Sequence, residues 1–562
     1  MRRLLVVLAG LVIAGCAPSA APRATVPPGA ARPAVPPPEE PTGRAAARAS
    51  VERANGLLGL DEPGRREDIL HTLEEAVRQY LQDVGDLALL ARDVHRQADL
   101  AEVLTLVSSD RPASRPTVQV RPFGGVPVLL VAYGEPPRVL GGVPLLAFHG
   151  AGPSLQAQRL AGAGAMRVEE VVDVTGGGRD ELVLTDTIAG GDGFRTMFGI
   201  FGWHGDRFAP LFEGWVGDRG GLAGWRLVPR AAGQDVVQYC PAFGPFDHQL
   251  REHPTLTRTY RWDGAGFAVV QATLPPPMTR HDAFNRAEVA FRAGALAAAI
   301  DGYRTVIEDQ GLRAEPSAKP DWPALAWLRT GQAQALLGDP HGAQASLERA
   351  GQAGGAVGVL AGAFRDALAQ PDGVVRGFVA TEQALRGRLG PGTVADHFGV
   401  EIVEPGLLLL GLALGAHLEA HPDHATASAA QLRGALEELG LHVSELAKAD
   451  LDGDGQEDLV ALVPTGDGPS GWIVTRRGGH WRSLLARYPH VGQVRLGAVE
   501  PLPDGPGHVV ALLGADGQPR PVGFIGLRDG RPRLYDAERR PVPVDGPTSA
   551  GQCDMAEGLG NP

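Results

Sequence analysis

Four aspartates stand within residues 450–458: Asp450, Asp452, Asp454 and Asp458, with Gly455 at the centre and Gln456 beside it. A hard cation such as calcium takes six to eight oxygens at close range. Alternating aspartates on a loop that curls at a glycine bring side-chain and backbone oxygens to one point, so Asp450, Asp452, Asp454, Gln456 and Asp458 are read as a single calcium site. A related stretch, Asp173 to Glu181, keeps the outer acids and Gly178 but has Thr175 and Gly177 at the inner positions, and it is expected to be a turn without an ion. His417 and His421 stand four apart, with His424 after Pro422. In His417-Leu418-Glu419-Ala420-His421 the glutamate is misplaced for a metalloprotease base, so these are read as solvated histidines at a helix end rather than zinc ligands. No GxSxG elbow occurs, and neither lysine, Lys319 or Lys448, follows a glycine, which excludes a GxxxxGK[ST] phosphate loop. No residue is assigned a catalytic role.

Composition narrows the rest. The 562 residues carry 65 Asp plus Glu against 52 Lys plus Arg, a net charge of −13, and a balance of that sign excludes a nucleic-acid binder or a polybasic membrane clamp. Arg2 and Arg3 precede a short apolar run from Leu4 to Ile13, far below the roughly 20 residues of a spanning helix. Ile13-Ala14-Gly15-Cys16 then resembles the lipobox of bacterial lipoproteins. That resemblance implies removal of residues 1–15, lipidation of Cys16, and a lasting anchor, since several acyl chains at one residue hold where one does not. Residues 16–50, rich in Ala, Pro and Arg, read as an extended tether. The remaining cysteines, Cys240 and Cys553, are far apart in sequence; outside the reducing cytosol a disulfide and two separate thiols both stay open.

Along the chain the hydrophobic period changes several times. Ile69, Leu70, Leu73, Val77, Tyr80, Leu81 and Val84 recur at three and four, which predicts a helical hairpin within 51–110. From 115 to 274 the texture is strand-like, with runs such as Val126 to Tyr133, Val143 to Phe148, Glu181 to Thr185 and Met197 to Trp203, ending at Pro275-Pro276-Pro277. A second strand-rich segment, 442–545, repeats the first: residues 173–184 align with 450–461, and Phe201 to Phe208 with Val474 to Trp481. Further copies of that strand, glycine turn and aromatic stand at Tyr260 to Phe267 and Gly526 to Arg533. These units resemble the FG-GAP or VCBS-type repeats of β-propellers, in which an acidic loop precedes a strand of each blade. An EF-hand is not implied, because Ala461 stands where its closing glutamate would be. The two β segments are expected to complete one discontinuous propeller.

Residues 280–370 are alanine-rich and helical, and 371–440 adds further helices. Ala287, Ala299 and Tyr303 match Gly331, Ala343 and Leu347, with Trp327 before the glycine and Gly338-Asp339 at a turn. This pattern resembles tetratricopeptide repeats, although the 44-residue offset exceeds the family's 34 and implies a loop around Arg313 to Pro323. The run Leu407 to Leu414 reads as core, and 546–562 as a flexible tail. The fold class expected is α+β multidomain: two propeller-like all-β segments flanking a tetratricopeptide-like helical segment, with an N-terminal helical hairpin.

These readings lead to an extracytoplasmic lipoprotein of the cell envelope. It would act as a calcium-supported interaction or scaffold module, contacting the membrane through its lipid and a protein or peptide through its repeats, with no nucleic acid or nucleotide. The rival is a hydrolase with its active site between the β and helical parts. An open helical groove favours peptide binding, and a groove filled by the chain itself favours a structural role.

Overall fold

The computed structural model describes residues 41–58, 65–108, 111–133, 145–160, 165–190, 193–218, 224–246, 252–313, 321–387, 405–465, 468–477, 480–486, 494–502, 506–514, 521–528, 531–536, 539, 553–555 and 559. The leader, Cys16, most of the tether and most of the 546–562 tail lie outside them. The described part is a mixed α+β structure of thirteen helices and six small antiparallel sheets, none closed into a barrel.

The N-terminal helices are α1 (Thr42–Leu58), α2 (Arg65–Val84), α3 (Leu87–Arg92) and α4 (Val94–Val103). The partner of α2 in the hairpin is α1, whose first turns fall in the segment read as tether. Two features dock them. Gly43 lies so close to α2 that a Cβ there would stand 2.4 Å from the Gln79 carbonyl oxygen. The Arg44 N–H donates to Asp83 of α2 at 2.8 Å, and its guanidinium ties α1 to α4 by donating to both oxygens of Asp99, which holds that carboxyl below the usual range.

Strands β1 (Leu106–Ser108) and β2 (Arg111–Ser114) form a small ribbon, after which the chain builds three four-stranded meanders in succession. The first sheet holds β3 (Thr117–Phe123), β4 (Val126–Ala132), β5 (Leu145–His149) and β6 (Gln156–Leu160). The second holds β7 (Ala165–Val172), β8 (Glu181–Gly190), β9 (Gly193–Trp203) and β10 (Phe208–Asp218). The third holds β11 (Gly224–Pro229), β12 (Gln234–Phe243), β13 (Thr255–Trp262) and β14 (Phe267–Thr273). The continuous apolar run at β4 follows from stacking, because successive side chains point to opposite faces and both faces are buried. Leu129 and Val131 meet the N-terminal helices, whereas Val128 and Leu130 meet Leu182 and Leu184 of the second sheet. Val183 and Ile200 in turn face Val236 and Trp225 of the third.

Helices α5 (Arg280–Arg292), α6 (Leu296–Glu308), α7 (Trp322–Leu336), α8 (Pro340–Gln352), α9 (Gly355–Leu368) and α10 (Gly373–Gly387) follow as three hairpins. Their turns are written locally. Gly338 takes a left-handed φ of 77°, the Asp339 side chain caps the Gly342 N–H at 2.9 Å, and Pro340 opens α8. The small residues named in the sequence sit where helices cross: a Cβ on Gly331 would come within 2.8 Å of Leu347. Then come α11 (Pro405–Ala420), α12 (Pro422–Thr426) and α13 (Ala429–Glu438). In α11, Leu409, Leu410, Ala413 and Leu414 are core, as expected of that leucine run.

Two more meanders complete the body. The fourth sheet holds β15 (Glu445–Ala449), β16 (Asp458–Thr465), β17 (Gly468–Arg477) and β18 (His480–Ala486); the fifth holds β19 (Val494–Pro501), β20 (His508–Gly514), β21 (Pro521–Arg528) and β22 (Arg531–Tyr535). Leu459, Ala461, Trp472 and Val474 bury one face of the fourth sheet against the helices, and Val460 and Ile473 bury the other against Val510, Leu512 and Ile525.

The expected ring closure is not found. Among the described residues no strand of 117–273 pairs with a strand of 445–535, and the helices stand between the two stacks. Instead, β23 (Cys553–Asp554) returns to pair in parallel with β12, placing Cys553 opposite Ala242. Cys240, buried two residues away, is disulfide-bonded.

Candidate metal centre

The loop 450–458 connects the first two strands of the fourth sheet. One carboxylate oxygen each from Asp450, Asp452 and Asp454 lies within 4.8 Å of the others. Calcium–oxygen distances of about 2.3–2.6 Å put opposed ligands roughly 4.6–5.2 Å apart, so one ion fits among the three. Left-handed turns at Gly453 (φ 79°) and Gly455 (φ 84°) curl the chain, and Asp450 accepts from both of their N–H groups, at 2.8 and 3.0 Å. Asp452 accepts from the Asp454 N–H at 3.2 Å and Asp454 from the Gln456 N–H at 2.8 Å, while Gln456 itself is exposed.

Asp458 differs from the other three. It is 2% exposed, and its carboxylate accepts from the Leu451 N–H at 2.9 Å. Burial pushes its carboxyl up to about 6, and the charges of Asp452 and Asp454 push the same way. The structure therefore gathers Asp450, Asp452 and Asp454 at the surface of the loop and sets Asp458 beneath them as a support.

Loop 173–181 has the same construction in the second sheet. Asp173 accepts from Gly176, Gly177 and Gly178 N–H groups at 2.7, 3.1 and 2.8 Å. Glu181 is buried and accepts from the Val174 and Thr175 N–H groups at 2.7 and 3.1 Å and from the Thr175 hydroxyl at 2.9 Å. Burial raises its carboxyl above the ordinary value despite those bonds.

Each loop also docks on the next sheet. A Cβ on Gly453 would stand 2.4 Å from the Pro506 carbonyl oxygen, and His508 Nδ1 lies 2.9 Å from the Asp450 carbonyl oxygen. Likewise a Cβ on Gly176 would stand 2.8 Å from the Ala232 carbonyl carbon, and the Gln234 N–H donates to the Val174 carbonyl at 2.8 Å. These loops are joints between neighbouring sheets. Sequence comparison of the two stretches finds the loops but not the joint, because the residues they rest on, Ala232-Gly233 and Pro506-Gly507, lie in stretches that share no motif.

The helical groove is filled from within. Phe246, just past β12, enters it: its N–H donates to Asn285 Oδ1 at 2.6 Å, and its carbonyl lies 2.7 Å from His281 Nε2. Beside its ring a buried network joins the first two hairpins. Arg329 donates to Glu288 at 2.7 Å, Tyr303 donates to the same oxygen at 2.7 Å, and the two charged residues are 3% and 0% exposed. Burial lifts the Tyr303 hydroxyl well above its normal range. Glu288 and Arg329 were missed in the sequence; the available signal was one charge of each sign on otherwise apolar helical faces. A cavity of about 20 Å³ lies there, lined by Phe246, Leu325, Leu328, Arg329, Leu360 and Leu385 among others.

The histidines depart from expectation. His417 is buried rather than solvated, with Nε2 2.8 Å from His424 Nδ1. Burial first, and then the neighbouring His421 and His424, push its imidazole down to about 4. Glu419 is engaged elsewhere, accepting from the Trp481 N–H of the fourth sheet. No described helix is long and apolar enough to cross a membrane. Comparison with protein-family models, with curated proteins and with solved structures found no match.

Proposed function

We propose that the chain is an extracytoplasmic lipoprotein, anchored at Cys16, whose body is a calcium-supported scaffold for a protein or peptide partner. The observation that carries this reading is the double role of loop 450–458: it gathers three carboxylates around one point and rests on the turn of the fifth sheet. An ion held there removes the repulsion among Asp450, Asp452 and Asp454 and stiffens the joint between two sheets. On this reading the five stacked meanders are propeller-like blades arranged in two open stacks, and the three hairpins are tetratricopeptide-like units used as a spacer. Phe246 occupying the groove supports the spacer role over a peptide receptor.

The rival hydrolase would place its site between β and helical parts. The cavity of about 20 Å³ lies within the helical array, lined by Phe246 and residues of α7, α9, α10 and α11, and has room for roughly one water.

Hydrogen exchange on the full chain with calcium and with chelator tests the proposal. Protection should rise at 450–458 and at 506–510 together. Unchanged exchange at both would sink the calcium role. Incorporation of labelled fatty acid tests the anchor, with Cys16→Ser expected to abolish it; a correctly processed, unlabelled wild-type protein would rule the anchor out.

A further inference from the structure

The C-terminal strand follows the fifth sheet in the chain but belongs to the third. β11 runs along β12 only from Gln234 to Tyr239, and just past its end β23 pairs in parallel with Ala242 and Phe243. Met555, the residue after β23, enters a buried cluster with Cys240, Ala242 and Leu256 of the third sheet and Val289 of α5. Cys240 and Met555 are 0% and 1% exposed. Residues 553–555 are therefore a strap packed as core, and they meet the body where the third sheet joins the first helix of the array.

Cys240 is disulfide-bonded, and the chain holds two other cysteines, Cys16 and Cys553. On the reading above Cys16 takes the lipid, and a lipidated sulfur has no thiol left to oxidise. Cys553 stands opposite Ala242, one step along the ladder from Cys240. Residues 240 and 242 of β12 send their side chains to the same face, because the period of a strand is two.

We propose that Cys240 is bonded to Cys553 and that this bond is a clasp, locking the C-terminal strap onto the third sheet and α5. The covalent ring it closes runs through every helix from α5 onward and through both sheets of the second stack. Formation is thiol–disulfide exchange with an oxidant that is itself a protein or small-molecule disulfide. One cysteine thiolate attacks that disulfide and displaces one of its sulfurs as a thiolate; the other cysteine thiolate then breaks the mixed disulfide and releases the second sulfur. The chain gives up two electrons and two protons, and the oxidant leaves as two thiols. Such bonds persist outside the reducing cytosol, which is where the lipobox-like start directs the chain. The two cysteines lie more than three hundred positions apart, so the clasp closes only after the helices and the last two sheets have been made. It rests on the anchor reading in one respect, that Cys16 is left to the lipid.

Peptide mapping of the full chain, alkylated in denaturant without reductant and then digested, is the test. One linked pair of peptides should hold Cys240 and Cys553, and both residues should become alkylatable after dithiothreitol. In hydrogen exchange, Cys553→Ser should free the strap, raising the rates at 242–243 and 553–555 at least about tenfold while leaving loop 450–458 at its wild-type rate. Alkylation of Cys240 and Cys553 without reductant would overturn the clasp and leave the anchor standing. A link between Cys16 and Cys240 would overturn both. Unchanged exchange at 242–243 in Cys553→Ser would also overturn the clasp, since the bond would then fasten nothing.

Discussion

Loops 173–181 and 450–458 occupy the same place in the second and fourth sheets, turn at matching glycines with φ of 79° at Gly176 and Gly453, and rest on the next sheet in the same way. They differ in how their carboxylates are satisfied. In the first, the longer side chain of Glu181 reaches two N–H groups and a hydroxyl, and no further acids are present at 175 or 177. In the second, the shorter Asp458 accepts from one backbone N–H, that of Leu451, with the Thr475 side chain beside it, while Asp452 and Asp454 add charge above it. One backbone frame thus serves as a self-contained turn in one sheet and as a charged cradle in another. The repeat fixes the geometry of the joint, and two inner side chains decide how much negative charge the loop carries.

The most damaging way to break this comparison acts on what the loops share. Gly176→Ala and Gly453→Ala each force a Cβ into the neighbouring sheet from a left-handed backbone. Each should cost about 2–4 kcal/mol in chemical denaturation, with or without calcium. A loss at only one of the two positions would mean that the joints are not equivalent.

The closing acids should separate the loops next. Glu181→Ala leaves the Val174 and Thr175 N–H groups without their acceptor and should cost about 1–3 kcal/mol with no calcium dependence. Asp458→Asn keeps an acceptor for Leu451 and removes a charge that burial disfavours. Its calcium-free stability should therefore stay within about 1 kcal/mol of wild type while its calcium response disappears. A large calcium-free loss in Asp458→Asn would contradict the account of that residue as a strained support.

Calcium itself comes third. At roughly ten times a dissociation constant of about 10⁻⁴–10⁻³ M, linkage gives about 1.4 kcal/mol, a few degrees in melting midpoint by calorimetry. Magnesium should give less, because it demands a stricter octahedron. Asp454→Ala should abolish the shift, and Asp173→Ala should leave it intact. Identical wild-type curves in calcium and chelator would reduce 450–458 to an acidic turn.

The smallest effect should come from transplanting the charge. Thr175→Asp with Gly177→Asp copies the inner acids into the second sheet and should create a calcium response below about 1 kcal/mol. It should be weak because Arg179 stands where the other loop has Gln456 and places a cation beside the new site. A response as large as that of 450–458 would show that the inner acids alone set affinity.

Much of this frame was legible in the chain. Phe201 to Phe208, Val474 to Trp481, Tyr260 to Phe267 and Gly526 to Arg533 all prove to be the hairpin between the third and fourth strands of a sheet. They were readable because a strand, a glycine turn and an aromatic are local features with a fixed period. The start of α1 was not legible, since a segment rich in Ala and Arg becomes helical here by packing against α2, with Gly43 allowing the approach. The histidine cluster was misread for a related reason: spacing put His417 on a helix end, but burial of that end depends on the elements packed over it.

Local spacing by itself therefore determined the acidic loop, the repeated hairpins and the helical turn at Gly338-Asp339, because each is encoded within about a dozen neighbouring residues. Tertiary structure alone decided that the sheets stack in two open runs with helices between them, that Phe246 fills the groove, that Glu288 meets Arg329, and that Asp372 meets His421. Those contacts join residues from 39 to 49 positions apart in sequence. A repeat does not say which distant surfaces meet, and that is settled by burial of apolar faces in the assembled fold.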